Sequence, residues 1–302
     1  MDGILSEIIA ANRAFENLAP NTHEYLRDLK ASLAPDVIRP ISKYIVRGET
    51  KKLNVDFPDE LTTDWPYLEL IQLSDVQFGH RDCKLETLAK YIEWILSKPY
   101  RFICNTGDAI DAAHAFTPGS PWDNIFEAQS ELCSFARIMA PVRHRWLGYV
   151  GGNHERRGIP VFGDLGKLIA CMLEVPYSGG RQFIDIRYRS HESFKVALWH
   201  GHPRARTKGA LAQIMDRYTK IGNAHLYYTG HNHQCLVVPD YREIVQPDGL
   251  KLEMYVGASG TSFLRTYGSY GEWMGFGAYN VIMPRARLYP NGEWELVVKA
   301  CD

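Results

Sequence analysis

Apolar positions along this chain follow two rhythms. Near the N-terminus the spacing is helical: Leu5, Ile8 and Ile9 make one stripe. Tyr25, Leu26, Leu29 and Leu33 make a second, behind an Asn21/Glu24 pair with capping-box spacing. Pro20, Pro35 and Pro40 punctuate this region. The pattern predicts a helical extension over residues 1–66, helical to about residue 45, that packs or self-associates through its apolar stripes. From residue 67 the rhythm changes. Residues 67–73, 101–104, 146–150, 194–199 and 225–228 are short apolar runs of strand type. Leu85, Leu88, Ile92, Ile95 and Leu96 recur at helical spacing, and residues 124–139 also read as helix. Strand-like runs continue to residues 293–298. The alternation predicts one layered α/β domain over residues 67–302.

Each strand run ends at a polar cluster. The five clusters are Asp75-Val76-Gln77, Gly107-Asp108-Ala109-Ile110-Asp111, Gly152-Asn153-His154-Glu155, His200-Gly201-His202 and Gly230-His231-Asn232-His233. Loops at strand ends are where α/β folds place ligands. Aspartate, asparagine and histidine are the side chains that hold pairs of divalent cations. Two such cations about 3.5–4 Å apart bind both oxygens of a phosphoryl displacement and deprotonate a bridging water. Asp108, in a Gly-Asp turn, is the expected bridging carboxylate. Asp75, Gln77 and His233 are expected to join it at one metal, and Asn153, His200 and His231 at the other. His231 and His233 are two apart, so a non-helical backbone must aim both inward. His154 is left to protonate the leaving oxygen, with Asp111 holding its tautomer.

In order and spacing these clusters resemble the calcineurin-like metallophosphoesterase superfamily, whose signature runs D-x-H, G-D-x-x-D, G-N-H-[DE], a lone H, then G-H-x-H. The resemblance covers the chain from about residue 67 onward. It implies a four-layer α/β/β/α sandwich with a dinuclear site at the sheet edge, and it supports the roles above, the Asp111–His154 pair included. Gln77 departs from the signature, standing where most of the family has histidine. An amide oxygen is a harder and weaker ligand than imidazole, which tilts the expected metal to Mn2+, with Mg2+, Fe or Zn2+ as alternatives. The manganese-dependent ADP-ribose/CDP-alcohol diphosphatases are similar in carrying D-x-Q. The run from Gly260 to Tyr267 also resembles a block found in phage-encoded members.

Substrate is less legible. Arg156 and Arg157 follow the third cluster directly, and Arg204, Arg206, Lys208, Arg217 and Lys220 make residues 203–220 locally basic. Residues 255–279 are rich in glycine and aromatics. Arg156, Arg157, His202 and Arg204 are the candidate substrate contacts. Together these features favour a phosphodiester substrate, DNA or RNA included. A nucleotide diphosphatase or phosphomonoesterase is the alternative, and a scaffold acting through the N-terminal helices is a third reading.

Net charge over the 302 residues is −1, so no global field draws the protein to nucleic acid or an anionic membrane. No apolar run reaches the length of a membrane span. The start of the chain lacks a signal-peptide pattern. Six scattered cysteines, without a C-x-x-C pair, read as buried thiols of a reduced, cytoplasmic protein. Self-association through the N-terminal helices is expected. A distant resemblance to the exonuclease subunits of double-strand-break repair complexes does not extend to their ATPase-docking segment, so no partner ATPase is implied.

Overall fold

The computed structural model describes residues 50–114, 121–159, 163–201, 205, 207–247, 249–268, 272 and 279–300. These form a mixed α/β structure of two six-stranded mixed sheets and five helices.

One sheet is built around β2 (Leu68–Leu73), β3 (Arg101–Asn105) and β4 (Trp146–Val150), which run parallel. All three are buried at every position, as central strands covered on both faces must be. β5 (Tyr177–Ser178) extends this sheet on one side. β11 (Arg285–Leu288) and β12 (Trp294–Val297) extend it on the other, both antiparallel to their neighbours. The second sheet has the order β1 (Lys51–Phe57), β6 (Arg181–Tyr188), β7 (His191–Trp199), β8 (Leu226–Thr229), β10 (Gly249–Ser259), β9 (Leu236–Gln246). Here β7, β8 and β10 are mutually parallel.

One apolar cluster draws on both sheets, bringing Leu70, Phe102 and Leu147 together with Ile184, Val196 and Tyr228. A second joins Ile71, Ile103 and Tyr149 to α1 (Leu85–Leu96), α2 (Ala128–Met139) and α4 (Leu165–Leu173). A third sets Ala197, Tyr227 and Tyr255 against Met215 and Tyr218 of α5 (Lys208–Thr219). The remaining helix, α3 (Asn153–Arg157), is a single turn that carries the third polar cluster. Among the described residues no helix is long and apolar enough to cross a membrane.

The predicted strands and the helix over 85–96 are found within a few residues of their expected bounds. The helix expected over 124–139 begins only at Ala128. Residues 51–57 do not belong to a helical extension: they form β1, parallel to β6 over seven residue pairs from Lys51↔Gln182 to Phe57↔Tyr188. Its half-buried positions alternate with exposed ones, the period of an edge strand, and lysine, asparagine and aspartate on the open face mask it in the sequence. The sheet therefore begins at Lys51, ahead of the expected boundary at residue 67. The helices expected before residue 45 lie outside the described residues. Cys83, Cys104 and Cys133 are buried free thiols, as expected, while Cys171 and Cys235 are only partly covered.

Candidate metal centre

Asp75, Asp108, Asn153, His200 and His231 each follow the last residue of a strand by one to three positions: β2, β3, β4, β7 and β8 in turn. Two parallel strand sets thus deliver five loops to one place. The sheets meet there through Gln72, whose amide donates to Thr106 Oγ1 (2.9 Å) and to the Thr229 carbonyl across the interface (2.7 Å).

The loop backbones are bent to suit the side chains. Asp75 (φ 50°), Gln77 (48°), Asp108 (54°), His231 (72°) and His233 (52°) all adopt the left-handed conformation. Non-glycine residues avoid it at a cost of roughly 1–3 kcal/mol each. Only Ala112, Glu174 and Arg189 share it among the described non-glycine residues. Five such residues in these loops make the backbone bend sharply where the polar clusters sit. Two glycines make the approach close enough. A Cβ on Gly152 would sit 2.1 Å from Asp108 Oδ1, and one on Gly230 would sit 2.0 Å from Ser74 Oγ and 2.6 Å from Asp75 Oδ2.

His200 lies at the centre. Its Nδ1 donates to the Thr106 carbonyl at 2.7 Å, which leaves a lone pair on Nε2 in the neutral ring. That Nε2 faces Asn153 Oδ1 at 2.9 Å, Asp108 Oδ2 at 3.2 Å and His231 Nδ1 at 3.2 Å. Ligand-type atoms of Asp108, His200 and His231 all lie within 4.8 Å of one another. Acceptors gathered this way need a proton or a cation between them. Burial disfavours charge on His200, but Asp108 outweighs it, helped by Asp75 and Glu155, and its pKa is pushed up to about 9. His231, half-buried beside His200, is pushed down to about 4 by burial and by the His200 charge. Burial opposes the Asp108 carboxylate as well, yet His154 and His200 hold it well below the ordinary range.

The other half of the cluster surrounds Asp75, which is fully buried. Its two oxygens accept the His231 N–H at 2.9 and 3.0 Å, Ser74 Oγ donates to Oδ2, and His233 Nε2 lies 3.3 Å from Oδ1. Gln77 Nε2 lies 3.1 Å from His154 Nε2, while its Oε1 is buried and has no hydrogen-bond partner among the described residues. A buried, unsatisfied amide oxygen is disfavoured by roughly 1–3 kcal/mol. It is also the atom a hard cation takes from glutamine. The donor set therefore fits divalent metal: two carboxylates, two amide oxygens and imidazoles, with one donor oxygen otherwise orphaned.

His154 and Asp111 are brought together as expected. His154 Nδ1 is 2.9 Å from both the carbonyl and Oδ1 of Asp111. Its Nε2 lies 3.0 Å from Arg157 Nη2 and 3.7 Å from Asp108 Oδ2. Burial works against a charged His154, but Asp108 and Asp111 prevail and raise its pKa. Arg157 also donates to the Asp111 carbonyl at 2.9 Å, which places it on the pair. Arg156 is exposed and turns away to the Gly179 carbonyl, so the two arginines separate. His202, Arg204 and Arg206 lie outside the described residues. Lys208, Arg217 and Lys220 belong to the exposed face of α5 or its end, Lys220 pairing with Asp216 at 2.8 Å.

Two buried carboxylates here received no role from the sequence. Glu155 accepts the N–H groups of Asp108 (3.1 Å), Ala109 (2.7 Å) and Gly152 (2.9 Å) and the Tyr149 hydroxyl (2.8 Å). It straps the Asp108 loop to the start of α3; its signal was its place three residues after Gly152, a capping-box spacing. Glu131 of α2 accepts the Ala112 N–H at 2.6 Å and the Asn124 amide, supporting the residue after Asp111. Nothing in the sequence near Glu131 marks it. Compared with protein-family models and with curated proteins, the chain matches none.

Proposed function

We propose that this chain is a dinuclear metal-dependent phosphoester hydrolase, most suited to phosphodiesters of nucleic acid or nucleotides. The observation that carries the reading is the convergence on His200 Nε2 of the oxygens of Asp108 and Asn153 and the His231 nitrogen. The orphaned Gln77 Oε1 supports it independently. The three core clusters are consistent with a four-layer α/β/β/α order, with helices outside each sheet and the site at one edge.

In this reading Asp75, Gln77, Asp108 and His233 hold one cation, and Asp108, Asn153, His200 and His231 the other. Bound there, the cations withdraw charge from phosphoryl oxygens and lower the pKa of a water. The chain's own residues do the rest. Asp111 fixes the proton of His154 on Nδ1, so that Nε2 points inward. An Nε2 that accepts from Arg157 cannot also carry a proton. Entry of a phosphate would draw Arg157 to its oxygens, and Nε2, then able to take up a proton from solvent, would deliver that proton to the leaving oxygen. The neighbouring Asp108 and Asp111 carboxylates favour that protonated state. Mn2+ is the expected metal because Gln77 contributes a hard oxygen donor.

The test is manganese-dependent hydrolysis of a bis-aryl phosphate diester against the matching monoester, with Asp108→Asn as the control. Diester preference that disappears in the variant is the expected result. Monoester preference would replace the substrate class with small phosphorylated metabolites. Absence of turnover on either ester with any divalent metal would overturn the phosphodiesterase reading and favour a nucleotide diphosphatase or a scaffold.

A further inference from the structure

The peptide unit between Asp111 and Ala112 is held at both polar ends. Its carbonyl lies 2.9 Å from His154 Nδ1 and accepts from Arg157 Nη1 at 2.9 Å. Its N–H donates to Glu131 Oε2 at 2.6 Å. A trans peptide is planar, so turning one end turns the other. The carboxyl that anchors the N–H therefore also sets the carbonyl that faces the imidazole. Asp111 meets the same ring nitrogen a second time through Oδ1, at 2.9 Å.

Glu131 is placed to hold this peptide firmly. It is fully buried on α2, and its other oxygen accepts from the Asn124 amide. The carboxyl rests against Gly79, where a Cβ would stand 2.2 Å from Glu131 Cδ. The Gly79 carbonyl takes the Ile125 N–H at 2.8 Å, and the Phe78 carbonyl takes the Asp111 N–H at 2.9 Å. One side chain thus wedges between the loop that carries Gln77 and the loop that carries Asp111. Ala112 adopts the left-handed conformation (φ 51°), which an alanine leaves unless contacts hold it there. Relaxation of Ala112 would rotate the shared peptide and swing the Asp111 carbonyl away from His154.

We propose that Glu131 is a positioning residue for His154: through the Asp111–Ala112 peptide it keeps a proton on Nδ1 and leaves Nε2 aimed at the reacting phosphoryl group. The inference rests on the phosphodiester reading for its link to turnover. The chain of hydrogen bonds from Glu131 to the imidazole stands on geometry.

Two readouts test this. Proton NMR of the metal-free protein needs no turnover: the His154 Nδ1 proton should exchange slowly with water in wild type. In Glu131→Met, which removes both accepting oxygens, it should exchange at least about tenfold faster. The second readout is Mn2+-dependent turnover of the phenyl and 4-nitrophenyl esters of thymidine 5′-phosphate. 4-Nitrophenolate leaves without a proton, whereas phenolate needs one. Glu131→Met should lower kcat on the phenyl ester at least about tenfold, with KM and 4-nitrophenyl turnover within about twofold. Glu131→Gln keeps an oxygen for the Ala112 N–H, and Asn124 can turn its amide over to match, so wild-type behaviour is expected. Should Glu131→Met fail to fold, Gly79→Ala, whose Cβ displaces the carboxyl, carries the same expectations. Equal losses on the two esters overturn the proposal, as does an unchanged exchange rate. If wild type cleaves neither ester but the exchange difference holds, the phosphodiester reading fails and the positioning of His154 stands.

Discussion

Glu155 Oε2 accepts the backbone N–H of Asp108 at 3.1 Å and that of Gly152 at 2.9 Å, so one buried oxygen spans two of the five candidate metal loops. The other oxygen takes the Ala109 N–H and the Tyr149 hydroxyl. All four partners donate, and a glutamine offers only one accepting oxygen. Glu155→Gln should therefore lose two bonds and press an NH2 group against donors. We expect a loss of about 1–3 kcal/mol in urea unfolding. Mn2+ affinity should fall by about 10–100-fold, as when other supports of metal ligands are removed. Unchanged affinity would show that the strap does not position Asp108.

Metal should stabilise the fold through the strained loops. With Mn2+ at about one hundred times its dissociation constant, wild type gains about 2.7 kcal/mol, read as a rise in melting temperature that EDTA reverses. In Gly230→Ala the added Cβ would meet Ser74 Oγ and Asp75 Oδ2, displacing the carboxylate. That variant should melt at the same temperature with and without Mn2+. A full metal-induced shift in Gly230→Ala would remove Asp75 from the ligand set.

The adjacent arginines should behave differently. Arg157 touches His154 and Asp111, whereas Arg156 reaches out to the Gly179 carbonyl. Arg157→Ala should lower kcat/KM on the diester by about 10–100-fold, the worth of a hydrogen bond to a charged group. Arg156→Ala should stay within about twofold, as exposed polar substitutions do. The reverse order would place the substrate on the other side of α3.

Glu131 sets a pH dependence of stability. Burial, and behind it the Asp111 charge, push its carboxyl up to about 8, although the Ala112 and Asn124 donors pull the other way. The folded chain thus binds this proton more tightly than the unfolded chain, where the group titrates near its ordinary 4.5. The stabilising contribution is complete below about pH 4.5 and is lost as pH rises towards about 8. Glu131→Gln cannot titrate. The stability of wild type relative to this variant should therefore decline from pH 5 to pH 8 in urea melts. A constant difference across that range would show the carboxyl to be ionised throughout.

Under the proposed reading, Gln77 should influence the choice of metal. Gln77→His replaces the hard Oε1 with an imidazole nitrogen, and the metal giving the highest turnover should move from Mn2+ towards Zn2+. An identical metal profile would mean that Oε1 is not a ligand.

Local sequence was enough to determine the strand ends and the residues placed on them. Apolar runs stopping at Asp75, Asp108, Asn153, His200 and His231 need no tertiary information to be seen, because strand period and loop chemistry are both local. Their order along the chain was likewise sufficient to expect a metal pair. Edge strand β1 was hidden because polar side chains on its open face break the apolar rhythm. Tertiary structure alone decided the rest. It bent five ligand-type residues into the left-handed conformation, which aspartate and histidine visit more readily than most side chains but which their local sequence does not impose. It also selected Arg157 over Arg156, which a sequence treats as equivalent, because a single helical turn points them in different directions. Glu131 and Glu155 became supports of the site only through folding: hydrogen bonds to backbone N–H groups 19 and 47 residues away in the chain form when loops from separate strands meet.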